Sequence, residues 1–324
     1  NPFDPDMASM IHNEMRKHGI KLVLGYTVEG FREKDNGVEI LLKDNPSLQA
    51  DMVVLAIGVT PDTALAKEAG LELGIKGSIV VNDRMETSVP DIYAAGDAVQ
   101  VKHYVTGDDA LISLAGPANK QGRIIADNIC GGDSHYLGSQ GSSVIKVFDM
   151  TAATTGINET NAKKSGLEVD TVILSPMSHA GYYPGGKVMT MKVVFEKETY
   201  RLLGAQIIGY EGVDKRIDVL ATAIHAGLKA TQLKDLDLAY APPYSSAKDP
   251  VNMAGFMIDN IAKGTLKQWH LEDMDKISRD KSVVLLDVRT VGEFNRGHMD
   301  GFKNIPVDEL RERINEIEKG KPVY

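Results

Sequence analysis

Two short apolar runs in this chain each end in a glycine. Residues 51–57 (DMVVLAI) precede Gly58, and residues 92–95 (IYAA) precede Gly96 and Asp97. Runs of this length between turn residues are typical of buried strands in the parallel sheets of α/β proteins. A strand end with Gly-Asp lets backbone and carboxylate approach a ligand hydroxyl, as in a nucleotide-binding sheet. The same pair also fits a sharp turn followed by a helix cap, so these residues alone leave both interpretations open.

The neighbouring segments favour an α/β fold for the first part of the chain. Apolar residues at helical spacing predict a helix over residues 7–15, and a second over Leu114–Ile129 that ends before two glycines. Residues 28–42 predict a hairpin that turns at residues 34–37, and residues 78–81 predict a further short strand.

From about Ser143 the pattern changes to extended runs. They read VIKVFD, TVILS, VMTMKVVF and LLGAQIIG, and an amphipathic helix follows with apolar residues from Val213 to Leu228 on one face. Asp249 and Pro250 are a typical N-cap and first residue of a further helix, with Gly264 just past its end. This part of the chain therefore predicts an α+β domain.

Composition excludes several classes of function. The 324 residues carry a formal net charge of -9, which argues against a nucleic-acid groove or an anionic membrane as the main partner. The single cysteine, Cys130, forms no internal disulfide and suits a reducing compartment, so we expect a cytoplasmic protein without a membrane helix. The chain opens without methionine and stops at an incipient apolar strand, so we interpret it as an internal piece of a longer polypeptide.

Two familiar motifs are excluded. Residues 181–188 (GYYPGGKV) match the phosphate-loop spacing, but Val188 stands where a magnesium-binding Ser or Thr belongs, and a strand pattern follows instead of a helix. No GxGxxG occurs, so the dinucleotide fingerprint is lacking, and the eight histidines and one cysteine are not spaced as metal ligands. We expect no metal site.

Three motifs in order resemble the FAD-dependent pyridine nucleotide-disulfide oxidoreductases. They are VVLAIGVTPDT from Val53, ETSVPDIYAAGDAVQ around Asp97, and LAGPANKQGRIIADNI from Leu114. The resemblance implies that Asp97 binds a flavin ribityl hydroxyl and that the helix opening near Ala118 points its positive end at the flavin. The implied cofactor-binding residues are Gly58 (near the nicotinamide dinucleotide), Gly96, Asp97, Ala115, Pro117 and Ala118.

The next segments narrow the resemblance. The HPTxxE motif of glutathione-reductase-like members is absent, whereas SHAGYYPGGK, GYEGVDKRIDVLA and LAYAPPYSSAKDPVNMAG resemble the coenzyme A-disulfide reductase and NADH oxidase branch. The resemblance implies that Tyr182 and Tyr240 face a redox cysteine of the partner subunit, where a phenol can donate a hydrogen bond to a sulfur leaving group. Amphipathic packing is an alternative role for both tyrosines. Four further residues could meet the phosphates of CoA or form a solvated face: His179, Lys187, Lys215 and Arg216.

The end of the chain resembles the start of a rhodanese domain. Residues 283–310 contain DVR, EF, GH and NIP in the order of that pattern, with Asp287 and Arg289 at a strand end. The sulfur-carrying cysteine of such domains, like the redox cysteine of the reductases, falls outside this chain. Cys130 matches neither, and we interpret it as structural.

Together these resemblances imply a domain order. We predict the C-terminal part of an NAD(P)-binding domain (1–60), the C-terminal part of an FAD-binding domain (61–135), a dimerisation domain (136–266), a linker (267–282) and a truncated rhodanese-like domain (283–324).

The combination resembles the CoA-dependent persulfide and polysulfide reductases. It implies a homodimeric enzyme that uses NAD(P)H and FAD to reduce CoA disulfide, CoA persulfide or polysulfide. One alternative is an NADH oxidase or peroxidase of the same branch. The alternative of another class is a catalytically silent dimerisation scaffold.

Overall fold

The computed structural model describes residues 2–324, and helices alternate with short strands in the first part of the chain. The helices are α1 (Pro5–Lys17), α2 (Ala64–Glu68) and α3 (Ala115–Ile129). The strands are β1 (Val28–Lys34), β2 (Gly37–Leu42), β3 (Asn45–Ala50), β4 (Ile79–Val80), β5 (Val99–Lys102) and β6 (Asp109–Ala110). The predicted hairpin is confirmed, because β1 and β2 pair antiparallel with Lys34 opposite Gly37, and β3 extends them to a three-stranded sheet that the sequence did not predict.

The prediction of a buried strand over residues 51–57 is wrong. These residues form no strand, and Val54, Leu55 and Ile57 are 77%, 65% and 92% exposed. A parallel strand takes its hydrogen bonds from its neighbours, and no strand among residues 2–324 pairs with this run. The apolar run therefore lacks the sheet that its composition favours.

Helix α3 packs beside a small mixed sheet. Strand β4 pairs parallel with β5, which pairs antiparallel with β6. Val99 and Val101 of β5 form a core with Met85, and Ile124 and Ile125 of α3 pack against it. The predicted helix over Leu114–Ile129 is thus confirmed, and its apolar stripe faces this core.

The segment predicted to be a dimerisation domain is built on a five-stranded antiparallel sheet. Its strands are β7 (Ser143–Val147), β8 (Met150–Gly156), β9 (Val169–Leu174), β10 (Met189–Glu196) and β11 (Leu202–Gly209), in the spatial order β7-β8-β11-β10-β9. Helices α4 (Glu159–Lys164), α5 (Val213–His225) and α6 (Pro250–Ala262) complete it. Both α1 and α5 pack on β8 and β11.

Strand β8 has no large branched side chains, and the sequence pattern did not reveal it. Its Ala152 and Ala153 are fully buried. Small side chains let helices approach a sheet closely, and Ala152 lies in a core with Met7 of α1 and Ile208 of β11. The strand therefore lies inside the sheet, between β7 and β11, although only its three threonines favour β structure.

The chain divides into two compact units, one ending at Asp259 and the other comprising Asn260–Tyr324. The second unit contains α7 (Met274–Ile277), β12 (Leu286–Asp287), α8 (Val291–Arg296), β13 (Lys303–Asn304) and α9 (Val307–Leu310), with β12 and β13 parallel. This division is coarser than the five predicted segments, which stay a prediction. None of the helices in residues 2–324 has the length and apolar character needed to cross a membrane.

Candidate active site

Two loops beside the five-stranded sheet carry the tyrosines singled out by the sequence. The first tyrosine loop, residues 178–187, connects β9 to β10 and is closed at its base: the Ser178 backbone N–H donates to the Lys187 carbonyl (2.7 Å), and the Lys187 N–H donates to Ser178 Oγ (3.0 Å). The second tyrosine loop, residues 239–245, precedes α6 and turns through hydrogen bonds to the Ala241 carbonyl. A backbone hydrogen bond from Ala180 to Ser245 (3.0 Å) joins the two loops.

The hydroxyls of Tyr182 and Tyr240 lie 2.9 Å apart and form a hydrogen bond. The two side chains are 76% and 46% exposed, so the pair faces solvent and its role is not that of core packing. The hydrogen bond with Tyr182 raises the pKa of Tyr240 above its ordinary value. Since one phenol of such a pair donates to the other, the acceptor keeps its own proton free to donate to a third group.

The cavity beside the tyrosine pair has a volume of about 540 Å³. It is lined by residues of both loops and of the start of α5: Ser178, His179, Glu211, Gly212, Lys215, Arg216, Ala239, Tyr240, Ala241, Pro243 and Tyr244. His179, Lys215 and Arg216 were expected near CoA, and the structure brings all three beside Tyr240. Lys187, the fourth such residue, is exposed at the base of its loop and is not in this lining.

Arg216 is buried, whereas a contact with a phosphate requires an accessible guanidinium. Its side chain is 2% exposed and forms a buried ion pair with Asp249 at 3.0 Å. Its Nη2 also donates to the carbonyls of Ser178 (2.9 Å) and Tyr244 (3.3 Å) and to Ser245 Oγ (3.2 Å). These donors are already used within the protein. The expectation that Arg216 contacts a CoA phosphate is therefore wrong, and so is the alternative that it lies on a solvated face. Its role is structural.

His179 and Lys215 differ in what they can offer. His179 is 5% exposed, its ring packs edge-on against Tyr183, and its Nδ1 lies 3.1 Å from the Ala180 carbonyl. Since a carbonyl oxygen only accepts, Nδ1 is the donor in this contact. Both contacts hold the ring within the first tyrosine loop. Lys215 is half-buried at the cavity and remains the expected residue best placed for an anionic group.

The residues expected to bind the flavin form a second group. Gly96 and Asp97 lie in a short 3-10 turn, and Gly96 has a positive φ of 85°, which favours glycine. The Gly96 N–H donates to Oε1 of Gln121 in α3 (2.7 Å), and a Cβ on Gly96 would lie 3.9 Å from that of Ala118. The turn and the first turn of α3, with Ala115 and Pro117, are thus in contact.

Asp97 is exposed and makes no hydrogen bond or ion pair with any of residues 2–324. Leu114, the N-cap of α3, supplies no side-chain cap to the helix N–H groups. A free carboxylate beside an uncapped, positive helix end fits a ligand that carries both hydroxyl and anionic groups. The residues present therefore fit the flavin interactions that the sequence implied.

Gly58 belongs to neither group. It has a φ of 101°, it follows the unpaired run of residues 51–57, and no heavy atom lies within 4 Å of the position of a Cβ there. A nucleotide contact at Gly58 stays a prediction. No group of three or more His, Cys, Asp or Glu in the described part of the chain is placed to hold a metal ion.

Sequence reasoning missed two features near these sites. Ser245 and Asp249, four residues apart, bind Arg216 from one side, although Asp249 was interpreted only as a helix cap. A groove of about 1080 Å³ runs between α3 and α5, and it is lined by Lys120, Arg123 and His225, among others. The basic spacing of Lys120 and Arg123 on α3 was the available signal for this groove.

Two family matches cover most of the chain. Residues 1–122 match the pyridine nucleotide-disulphide oxidoreductases, and residues 142–250 match the dimerisation domain of the same family. The chain thus carries domains of the pyridine nucleotide-disulphide oxidoreductase family. Its fold is that of this family, with a Rossmann-like domain and a dimerisation domain.

Three proteins that are similar to this chain belong to related kinds of reductase. The CoA-dependent NAD(P)H sulfur oxidoreductase of Pyrococcus abyssi is 37% identical over 77% of this chain and 55% of that protein. The crystal structure of reduced CoADR-RHD from Bacillus anthracis is 46% identical, with a TM-score of 0.94 over 100% of this chain and 58% of that one. An NAD-dependent persulfide reductase from A. fulgidus is 40% identical, with a TM-score of 0.90 over 99% of this chain and 58% of that one. The chain spans somewhat more than half the length of these relatives.

Proposed function

We propose that the protein containing this chain is a flavoenzyme that reduces CoA disulfide, CoA persulfide or polysulfide with NAD(P)H. The observation that carries the proposal is the exposed Tyr182–Tyr240 hydrogen bond at the edge of a cavity. The names of two relatives, a CoA-dependent sulfur oxidoreductase and a persulfide reductase, support the same substrate class.

The tyrosine pair is suited to the sulfur step. Cleavage of a disulfide or persulfide by a thiolate releases a second thiolate, and negative charge builds on the departing sulfur. The free phenolic proton of the pair can donate a hydrogen bond to that sulfur, while the other phenol holds the donor in place. Lys215 lies at the same cavity and adds positive charge where an anionic substrate would enter.

The flavin-side residues supply binding and orientation. Asp97 offers a free carboxylate to a ribityl hydroxyl, and the α3 N-terminus offers backbone N–H groups to the isoalloxazine ring. FAD, when bound there, would supply two-electron transfer from NAD(P)H to the sulfur substrate. Gln121 holds Gly96, and so keeps Asp97 beside α3.

Two alternatives make different demands on the site. An NADH oxidase or peroxidase of the same branch would reduce oxygen or peroxide and would bring no departing CoA thiolate for the tyrosines to stabilise. A catalytically silent dimerisation scaffold would need neither the tyrosine pair nor a free Asp97.

The second unit supports the proposal of a rhodanese-like domain that handles sulfane sulfur. Strands β12 and β13 are parallel, and a parallel bridge joins Val284 to Val323. Asn304 donates to the carbonyls of Asp287 and Arg289 at 2.9 and 2.8 Å. The DVR and NIP motifs therefore meet at one end of this parallel sheet, as an α/β domain requires.

We further propose an isologous homodimer that acts in the cytoplasm. The matched dimerisation domain and the exposure of both tyrosines support a partner subunit opposite the pair, and the single exposed cysteine suits a reducing compartment. Sedimentation of the full-length protein at micromolar concentration should give twice the monomer mass. A fully active monomer would rule out the cross-subunit role of the tyrosines.

The test of the function uses Tyr182→Phe and Tyr240→Phe in the full-length protein. Each keeps the ring and removes the phenolic donor, so turnover of CoA persulfide or disulfide should fall by roughly 10-fold to 1,000-fold. Flavin reduction by NAD(P)H, followed by stopped flow, should stay unchanged and serves as the internal control. Unchanged sulfur turnover in both variants together with fast oxygen consumption would replace the reductase by the oxidase.

A further inference from the structure

The buried guanidinium of Arg216 lies between the two tyrosine loops. One nitrogen, Nη2, donates to the carbonyl of Ser178, where the first loop begins, and to the carbonyl of Tyr244 in the second. The distances are 2.9 and 3.3 Å. Within the described residues, one backbone hydrogen bond, from Ala180 to Ser245, and the Tyr182–Tyr240 pair also join the loops, and Arg216 adds a buried bridge between them.

The Asp249 carboxylate also holds the guanidinium. Its carboxylate accepts from Nε (3.2 Å) and Nη2 (3.0 Å) of Arg216 and from Ser245 Oγ (2.7 Å). A planar fork held by a carboxylate has one orientation, in contrast to an ammonium group that rotates freely. The orientation of Arg216 is therefore set before any ligand binds.

The backbone is shaped to accept this side chain. Gly212, the N-cap of α5, has a φ of 69°, and a Cβ there would lie 2.0 Å from Nη1 of Arg216. Nη1 also donates to the Gly212 carbonyl at 3.2 Å. A side chain at position 212 would displace the guanidinium, so the glycine is required by the position of Arg216.

From these contacts we propose that Arg216, fixed by Asp249, is a positioning residue that holds the two tyrosine loops in register so that the hydroxyls of Tyr182 and Tyr240 can meet. The inference rests on the proposed function for its effect on turnover. Arg216 itself contacts no substrate, because its donors are used within the protein and its side chain is 2% exposed.

The experiment compares Arg216→Lys and Ser245→Ala with the unchanged full-length holoenzyme. Lysine keeps the charge, but its side chain is one bond shorter and has no Nε or Nη1, so it loses the two-nitrogen contact with Asp249 and the bond to Gly212 and cannot hold the same position between the loops. Ser245→Ala removes one hydroxyl of the network and is the milder change. The first measurement is ultraviolet titration of tyrosinate. Tyr240 is isolated from the other tyrosines by subtracting the same titration of a Tyr240→Phe version of each protein.

The expected result is a pKa of Tyr240 that falls toward its ordinary value of 10.0 in Arg216→Lys, with a smaller fall in Ser245→Ala, because the hydrogen bond to Tyr182 is lost or lengthened. The second measurement is turnover. The kcat for the sulfur substrate should fall by roughly 10-fold in Arg216→Lys while flavin reduction by NAD(P)H is unchanged.

Lys192→Met is the matched control, since Lys192 is also a buried cation, but its partners Asp4 and Asp6 lie at the start of α1 and not in the tyrosine loops. It should lower stability and leave the Tyr240 titration unchanged. An unchanged Tyr240 pKa in Arg216→Lys overturns the proposal, as does an equal fall in Lys192→Met. If Arg216→Lys does not fold, an unchanged titration in Ser245→Ala overturns it.

The titration also separates this inference from the proposed function. Unchanged sulfur turnover in the tyrosine variants would refute the function, whereas the Tyr240 pKa would still report whether Arg216 positions the pair. If Arg216→Lys lowers the pKa of Tyr240 while the tyrosine variants keep their sulfur turnover, the result supports the positioning role of Arg216 and counts against the proposed function.

Discussion

At the scale of single residues, Asp249 has two tasks. Its Oδ1 accepts from the Val251 N–H at 3.0 Å and caps α6, and its carboxylate pairs with Arg216. Burial alone would raise the pKa of Asp249, but hydrogen bonds from Ser245 and Val251 and the charge of Arg216 outweigh it, so the pKa lies below its ordinary value of 3.8. The folded state therefore favours the charged form of this buried acid.

This lowered pKa predicts an acid dependence of stability. A carboxylate with a depressed folded pKa stabilises the fold at pH values above its unfolded pKa, near 3.8, and that contribution is lost as the pH falls through the folded pKa. Asp249→Asn leaves Arg216 buried without a counter-charge and should cost about 3–5 kcal/mol at neutral pH. Urea unfolding of both proteins across the acid range should show this difference shrinking below pH 3.8.

The control for this prediction is Asp237→Asn, which replaces an exposed acid of the neighbouring segment. Its effect should stay within about 0.5 kcal/mol at every pH, as for most surface substitutions. A difference between wild type and Asp249→Asn that is constant from neutral to acid pH would contradict the assignment of a lowered pKa.

At the scale of elements, helix α3 holds the turn that carries Asp97. Gln121 is 1% exposed and accepts the Gly96 N–H, so one side chain of the helix fixes the backbone of a residue 25 positions away. Gly96 is in the left-handed region, where other residues are strained, and its N–H is satisfied by the Gln121 side chain at 2.7 Å. Helix and turn thus form one binding element.

Gln121→Leu should separate the helix from the turn. It leaves the Gly96 N–H without its acceptor in a half-buried place, and we expect a loss of about 1–3 kcal/mol together with weaker retention of flavin by the full-length protein. Thermal unfolding and the flavin absorbance after gel filtration measure the two effects. Arg123→Gln, on the exposed face of the same helix, is the control and should change stability by less than about 0.5 kcal/mol. Equal flavin retention in wild type and Gln121→Leu would remove Gln121 from the site.

At the scale of the whole first unit, a buried ionic network joins the start of the chain to the five-stranded sheet. Lys192 of β10 is 3% exposed and lies 2.8 Å from Asp6, 2.7 Å from Glu159 and 3.3 Å from Asp4. Asp4 is itself buried and accepts from the side chain of Gln206 in β11, 202 residues away in sequence. These contacts and the core of Met7 hold α1 against the sheet.

Removing the cation should loosen this connection. Lys192→Met leaves the Asp4 carboxylate buried without its counter-charge, and the free energy of unfolding should fall by about 3–5 kcal/mol. Lys163→Met is the matched control, because Lys163 pairs with the same Glu159 at 2.6 Å but is 47% exposed, and it should cost no more than about 1 kcal/mol. Equal urea midpoints for the two variants would show that burial adds nothing to the Lys192 network.

The sequence by itself determined the local elements and the kind of site. The periodicity of α3 and α5 and the turn residues of the β1–β2 hairpin are local signals, and each formed as predicted. The motifs around Asp97, Tyr182 and Tyr240 identified residues that the structure places in two groups, and the roles of these residues stay predictions. The helices and the hairpin could be predicted because propensity, apolar spacing and capping depend on neighbours in sequence.

Only the tertiary structure decided which distant residues meet. The contact between Tyr182 and Tyr240 spans 58 residues, and nothing in the spacing of either loop encodes it. Arg216 lies on a helix among charged residues that resemble a solvated face, yet it is buried because Asp249 and two backbone carbonyls satisfy it. The run of residues 51–57 has the composition of a buried strand but remains exposed, since a strand requires partners in space as well as a pattern in sequence.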